Sequence, residues 1–462
     1  MELLNSVLDA ISSFVWGIPL IVLLLGTGVF LSFRLLFIQI RGFGHGLAVV
    51  RGKYDDPNRK GQLTHFQALS AALSATIGIG NIGGVATAIY YGGPGAIFWM
   101  WVSAFFGMAI KYASCTLSIK YRKIDDDGNV RGGPMYFIEL GMKSGMKPLA
   151  YMFAGCTAIA AFGAGNMVQS NTVAHSLVSA FNISPGDEGL FRWVVGVVIC
   201  ALVGLVIIGG IKRIGVVASW LVPIMSIAYV GSALVVLGMN LDGILPAFET
   251  IFHHAFNPTA AAGGFAGATV WLTITWGLKR GLFSNESGLG SAPMAHSTAK
   301  VDEPVREGLV AMLGPFIDTI VICTMTALVI IVSGQWDSGV NGAPLTAASF
   351  EAVLPDYGQF MVVVGILLFA FSTVIAWSYY GEKGVEYLFG SKAKPAYRWL
   401  YILFTLIGAR LDLVAAWSFA DIANALMAIP NLIALVVLSG AVAAITKKYM
   451  GEKAAGLQEP YK

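Results

Sequence analysis

Apolar runs of about 20 residues or more recur along this 462-residue chain from Phe14 to Ile445, with no long polar interval between them. A hydrocarbon layer is crossed by about 20 such residues in a helix. Unpaired backbone groups there cost several kcal/mol each, which leaves helices as the spanning elements of such a chain. With 56% hydrophobic and 12% charged residues, the composition excludes an ordinary soluble protein. We expect an all-α polytopic membrane protein forming a single domain over 1–462. Its eleven transmembrane helices are expected at approximately 14–37, 66–91, 95–120, 148–180, 191–209, 213–239, 264–300, 306–334, 359–387, 396–412 and 415–446. The first run, 14–40, has Glu2 and Asp9 before it and no basic residue until Arg34, and it is too long for a cleaved signal. Most of the 29 Lys and Arg fall in alternate connections, while the others hold Asp187, Glu188, Asp242, Glu249, Asp337, Glu351 and Asp356. This bias predicts a multi-pass cell-membrane (plasma or inner membrane) protein with its N-terminus outside and its C-terminus in the cytoplasm. A net charge of +3 excludes nucleic acid as an expected partner. The four cysteines lie inside apolar runs without C-x-x-C spacing and read as small buried hydrophobes.

The second run is interrupted. Ser74-Ala75-Thr76-Ile77-Gly78-Ile79-Gly80-Asn81-Ile82-Gly83-Gly84 has four glycines in seven positions, which invites unwinding at membrane depth. Unwound backbone survives there only when buried in protein or facing a watery cavity. A close-packing seam of small residues, such as Gly80 and Gly84, is the alternative. The seventh run carries a similar interruption through Thr273 to Gly290. Spans 2–6 (66–239) and 7–11 (264–446) make two sets of five. An odd number gives the second set the opposite entry side, as an inverted repeat requires. The first span is then an extra.

A broken helix offers free N–H groups to a carboxylate and free carbonyls to a cation or ammonium. An amino acid zwitterion needs both. The N–H groups of Ile79 and Gly80 are the candidates for its carboxylate, and the Thr76 carbonyl for its amine. Ser372 and Thr373 in the ninth span offer hydroxyls to a small hard cation, unless they bond back to their own helix. Asn166 and Gln169, one turn apart in the fourth span, either line the same cavity or join helices. Thr273, Trp276, Gly277 and Trp377 are further pocket candidates, the two Trp being bulky enough to suit a small ligand. Lys279, Arg280 and Glu286 cluster in the seventh-span interruption, where a salt bridge across the unwound segment is expected, with direct substrate contact as the alternative. His253 and His254 have no companion ligands, so no metal site is read there. With no H-E-x-x-H, no G-x-S-x-G and no catalytic carboxylate pair, an enzyme is not expected.

Gly92-Gly93-Pro94-Gly95-Ala96-Ile97-Phe98-Trp99-Met100-Trp101-Val102-Ser103-Ala104-Phe105-Phe106-Gly107 resembles the signature segment of the alanine or glycine:cation symporter family, also called sodium:alanine symporters. Phe283-Ser284-Asn285-Glu286-Ser287-Gly288-Leu289-Gly290-Ser291-Ala292-Pro293, the Gly-x-Gly-Asn-Ile of the second span and Gly132-Gly133-Pro134-Met135-Tyr136 fit as well. The resemblance runs from the first span to the eleventh. It implies a leucine-transporter-type (LeuT) fold, a 5+5 inverted repeat with one extra N-terminal helix. It also implies sodium-driven or proton-driven uptake of alanine and glycine, with no organic cofactor. By position it implies a sodium site formed by the carbonyls of Ser74, Ile77 and Phe369 with Ser372 and Thr373. Asn81, with Thr76, is the candidate for a second ion. Ile79 departs from the Thr found in many members, so the site would hold its ligand chiefly through backbone. A proton-coupled carrier, or one for a larger neutral amino acid such as glutamine, is the alternative within transport. A passive channel and an intramembrane enzyme are the other classes.

Overall fold

The computed structural model describes residues 11, 15–126, 128–143, 145–261, 263–410, 413–458 and 460–461, with backbone alone over 413–420. Phe14, residue 412 at the end of the tenth expected span, and the charged Glu2, Asp9 and Lys462 lie outside the described residues.

The described chain is helical apart from the antiparallel pair Lys123–Ile124 with Val130–Arg131, isolated bridges and connecting turns. The helices used below are α1 (Ile18–Arg34), α2 (His65–Thr76), α3 (Gly80–Gly92), α4 (Ala96–Lys120), α5 (Lys147–Ala180), α6 (Glu188–Ile207), α7 (Gly210–Gly238) and α8 (Leu241–Phe256). They continue with α9 (Val270–Asn285), α10 (Ala292–His296), α11 (Pro304–Val332), α12 (Ala343–Val353), α13 (Gly358–Phe389), α14 (Lys394–Gly408) and α15 (Leu413–Ala454). Among the described residues seven are long and apolar enough to cross a membrane, namely α4, α5, α6, α7, α11, α13 and α15. The α2–α3 pair makes an eighth when its two halves, bent by 54°, are taken as one span. This is a multi-pass membrane protein. The remaining expected spans are shorter than anticipated: α1 has 17 residues, α9 has 16 and α14 has 15. The cause is local. α9 stops where Glu286 turns left-handed (φ 53°), and the chain beyond α1 does the same at Leu36 and Phe37.

The helix starts follow from the sequence. Thr64 and Gln67 form a capping box on α2, each side chain serving the other's backbone N–H. Thr269 caps α9 by accepting from the Leu272 N–H. Pro148, Pro293, Pro304, Pro344 and Pro395 sit in the first turns of α5, α10, α11, α12 and α14, where a missing N–H costs nothing.

Among the described residues three helices contain a π-helical stretch, over Gly80–Gly84, Gly163–Met167 and Phe316–Cys323. Such turns recur at functional sites because they re-aim side chains within an otherwise regular helix. Around them α2 packs against α7 and α13, α9 against α3 and α4, and α15 against α1 and α5.

Candidate functional site

α2 ends at Thr76, and Ile77 is extended (φ −74°, ψ 91°) before the π-helical turn resumes the helix at Gly80. Asn81 bridges the gap. Its Oδ1 accepts from the Gly78 N–H at 2.9 Å, and its Nδ2 donates to Asp318 Oδ1 at 2.7 Å. Asp318 is fully buried and also accepts from Ser284 and Thr319 through Oδ2, both at 2.8 Å. One carboxylate thereby joins the α2 break, the end of α9 and the π-helical part of α11.

On the other side of the break, oxygens converge between α2 and α13. Ser372 Oγ lies 2.8 Å from the Phe369 carbonyl oxygen, 3.2 Å from that of Ser74 and 3.3 Å from that of Ile77. Thr373 Oγ1 lies 3.5 Å from the Ile77 carbonyl oxygen. Ser372 does bond back within its own helix, yet the same hydroxyl reaches the α2 carbonyls as well. These five residues are all buried. An uncharged set made only of oxygens is what a small hard cation takes.

Beside them lies a narrow cavity of about 20 Å³, room for about one water molecule in this conformation. Of the residues singled out from the sequence, Thr76, Gly80, Gln169, Thr373 and Trp377 line it. Gln169 Oε1 is buried and makes no hydrogen bond among the described residues. It sits by the break, since a Cβ built on Gly78 would come 3.5 Å from it and 2.6 Å from Thr373 Oγ1. The Ile79 side chain is instead part of an apolar cluster, only 1% exposed, which leaves its backbone alone as a ligand group.

Four expected pocket residues are elsewhere. α9 is unbroken until Asn285, so Thr273, Trp276 and Gly277 lie two to three turns short of the cavity. Thr273 Oγ1 donates to the Gly92 carbonyl at 2.7 Å, and Trp276 stacks on Tyr91 at 4.3 Å. Gly277 abuts α4, where a Cβ would meet the Ala96 carbonyl oxygen at 2.4 Å. Asn166 still lies inside the π-helical turn and points away from Gln169, donating to the Tyr401 carbonyl at 2.7 Å. The salt bridge expected across the α9 break does not form among the described residues. Lys279 Nζ pairs with Asp421 of α15 at 2.9 Å, whereas Glu286 accepts from Trp377 Nε1 at 2.8 Å and from Ser291 Oγ at 2.5 Å.

The cavity wall also contains Phe283, Glu286, Leu289, Ala164 and Asn424. Glu286 carries a signal in the sequence, an acid inside an apolar span. Asn424 carries a weaker one, since a lone amide in the eleventh span reads equally as a link between helices.

A span broken between α2 and α3, with the end of α9 beside it at a buried polar cavity between helices, is the arrangement of a membrane transporter. The chain belongs to the sodium:alanine symporter family, whose model matches residues 1–462. It is a transporter and not an enzyme. It is 50% identical to "Sodium/alanine symporter AgcS" of Methanococcus maripaludis, an alignment covering 96% of this chain and 97% of that one. It is 36% identical to "Probable sodium/glutamine symporter GlnT" of Bacillus subtilis, over 98% of this chain and 92% of the relative. Among solved structures it resembles MhsT in complex with L-phenylalanine, with a TM-score of 0.59 and 14% identity, covering 84% of this chain and 93% of that one. The last likeness is one of fold.

Proposed function

We propose that this protein couples sodium entry to uptake of a small neutral amino acid, alanine first and glycine beside it, by alternating access. The observation that carries this reading is the meeting of the Ser74, Ile77 and Phe369 carbonyls with the Ser372 and Thr373 hydroxyls at the edge of the cavity. A cation held there stabilises the same unwound backbone that receives the zwitterion, so each ligand raises the other's affinity by an equal factor. In this reading Thr76, Gln169, Trp377 and the Ile79 and Gly80 N–H groups hold the amino acid, and Asn81 serves a second ion or holds the break in shape. The proposed architecture has eleven spans, with 66–239 and 264–446 as inverted five-helix repeats and 14–40 as the extra helix. Its N-terminus is outside and its C-terminus in the cytoplasm.

The test is uptake of labelled L-alanine into proteoliposomes with and without an inward sodium gradient. Uptake indifferent to sodium sinks the coupling, and a proton gradient is then applied to the same vesicles. A larger neutral substrate such as glutamine is the second reading, favoured by the substrate in the printed name of the Bacillus subtilis relative. Competition against labelled alanine by glycine, alanine and glutamine separates the two.

A further inference from the structure

Asn424 enters the cavity from α15, away from the α2 break. α15 packs along α1, α4 and α5, whereas α2 and α13 pack on each other and form the wall that carries the break. Along α15, Asp421, Asn424 and Asn431 share one face, being three and seven residues apart. That face holds α9 and the turn that follows it: Asp421 pairs with Lys279, and Asn431 Nδ2 donates to the Gly288 carbonyl at 2.8 Å. Asn424 lies between these two anchors and lines the cavity. It is 2% exposed, and its Oδ1 makes no hydrogen bond within the protein among the described residues.

In the proposed reading the amino acid's head group is held at the α2 break, by the Thr76 carbonyl, the Ile79 and Gly80 N–H groups and Gln169, and Thr76 and Gln169 line the cavity there. An amide on α15, outside the α2–α13 wall, then faces what extends from the α-carbon. A methyl group leaves that buried amide oxygen unpaired, and a hydroxyl pairs it. We infer that Asn424 is a specificity-determining residue whose amide takes the hydroxyl of a small hydroxylated amino acid, making L-serine a substrate beside alanine. The inference rests on reading the cavity as a small-amino-acid site. Pairing a buried polar group shifts affinity by about tenfold or more, and a polar wall discriminates more steeply than an apolar one.

The experiment measures binding of L-alanine and L-serine to the purified full-length protein in sodium, for wild type, Asn424→Ala and Asn424→Leu. Each variant is read as the ratio of serine to alanine affinity. Wild type is expected to bind serine within about tenfold of alanine, and both variants to lower the ratio about tenfold or more. Asn424→Val, which removes the amide at a size between the other two, supplies the same ratio if a variant fails to fold. A ratio unchanged in the variants, or serine bound by wild type more than about 100-fold more weakly than alanine, overturns the inference and leaves the alanine reading standing. Wild type that binds neither amino acid overturns both.

Discussion

Ser74 and Ser372 hydrogen-bond to each other twice, in opposite directions: Ser74 Oγ donates to the Ser372 carbonyl at 2.7 Å, and Ser372 Oγ donates to the Ser74 carbonyl at 3.2 Å. The pair joins α2 to α13 one turn before the α2 break, so a change in α13 is felt where the cation is proposed to sit. Ser372→Ala removes one of the two proposed hydroxyl ligands and keeps the helix. Hydrogen bonds and ligand contacts to charged groups are worth about 1.5–3 kcal/mol. The sodium concentration for half-maximal alanine uptake is therefore expected to rise about tenfold or more. An unchanged sodium dependence would remove Ser372 from the site.

Asn81 serves three groups of two residues from one side chain, accepting from the Gly78 N–H and donating to the Asp318 carboxylate and the Asp318 carbonyl. Asn81→Ala strands a backbone N–H and a buried carboxylate oxygen, each a loss of about 1–3 kcal/mol. Thermal unfolding followed by size-exclusion fluorescence is expected to begin several degrees lower, with alanine binding weakened alongside. Asn81→Asp sets two carboxylates at contact distance and is expected to be worse than Asn81→Ala in both measurements.

A second buried cluster lies on the side on which basic residues concentrate. Glu307 lies between His65 and His296, bonded to the Nδ1 of each, and all three side chains are fully buried. Next to it the 60–65 segment pairs with 298–301, through Gln62 and Leu63 N–H groups to Thr298 and Lys300 N–H to Leu63. Arg122 ties down the Ser297, Ala299 and Val301 carbonyls. Breaking one partner of a buried charged cluster costs about 3–5 kcal/mol. Glu307→Gln is expected to loosen this cluster, read as faster labelling from that side of a single cysteine introduced at Ala75 in a background lacking the four native cysteines. Labelling at the wild-type rate would show that access from that side does not depend on the carboxylate.

The α2 break is legible in the sequence because four glycines and an asparagine inside an apolar run weaken a helix more than packing alone would require. The approach of Ser372 and Thr373 to the α2 carbonyls is legible through the family pattern. Rotation and reach are not legible in the same way. Thr273, Trp276 and Gly277 read as pocket residues because a glycine within a span looks the same whether it breaks a helix or lets α4 approach. Only the left-handed Glu286, with Gly288 and Gly290 at φ 101° and 83°, marks where α9 stops. Asn166 and Gln169 are one turn apart in any α-helix, and the π-helical turn that separates their directions has no local sequence signature. Lys279 pairs with Asp421 across about 140 residues of chain, a distance no spacing rule reaches.

His45 supplies a pH-dependent contact outside the spans. It lies on the Phe43–Val50 helix, and its Nε2 is 2.7 Å from Tyr449 Oη near the end of α15. Burial, and then the positive charges of Lys453 and Arg306, lower its pKa from 6.5 to about 4. A lowered histidine pKa means that the docked form binds fewer protons than the undocked one. The contact is at full strength above about pH 6.5, and weakens as pH falls toward 4. Hydrogen exchange over residues 445–456 is expected to quicken across that window once corrected for intrinsic pH effects. His45→Gln, which keeps a polar side chain without a titratable ring, is expected to flatten the dependence. A wild-type profile that stays flat from pH 7 to pH 4 would show that His45 does not govern the docking of this end of α15.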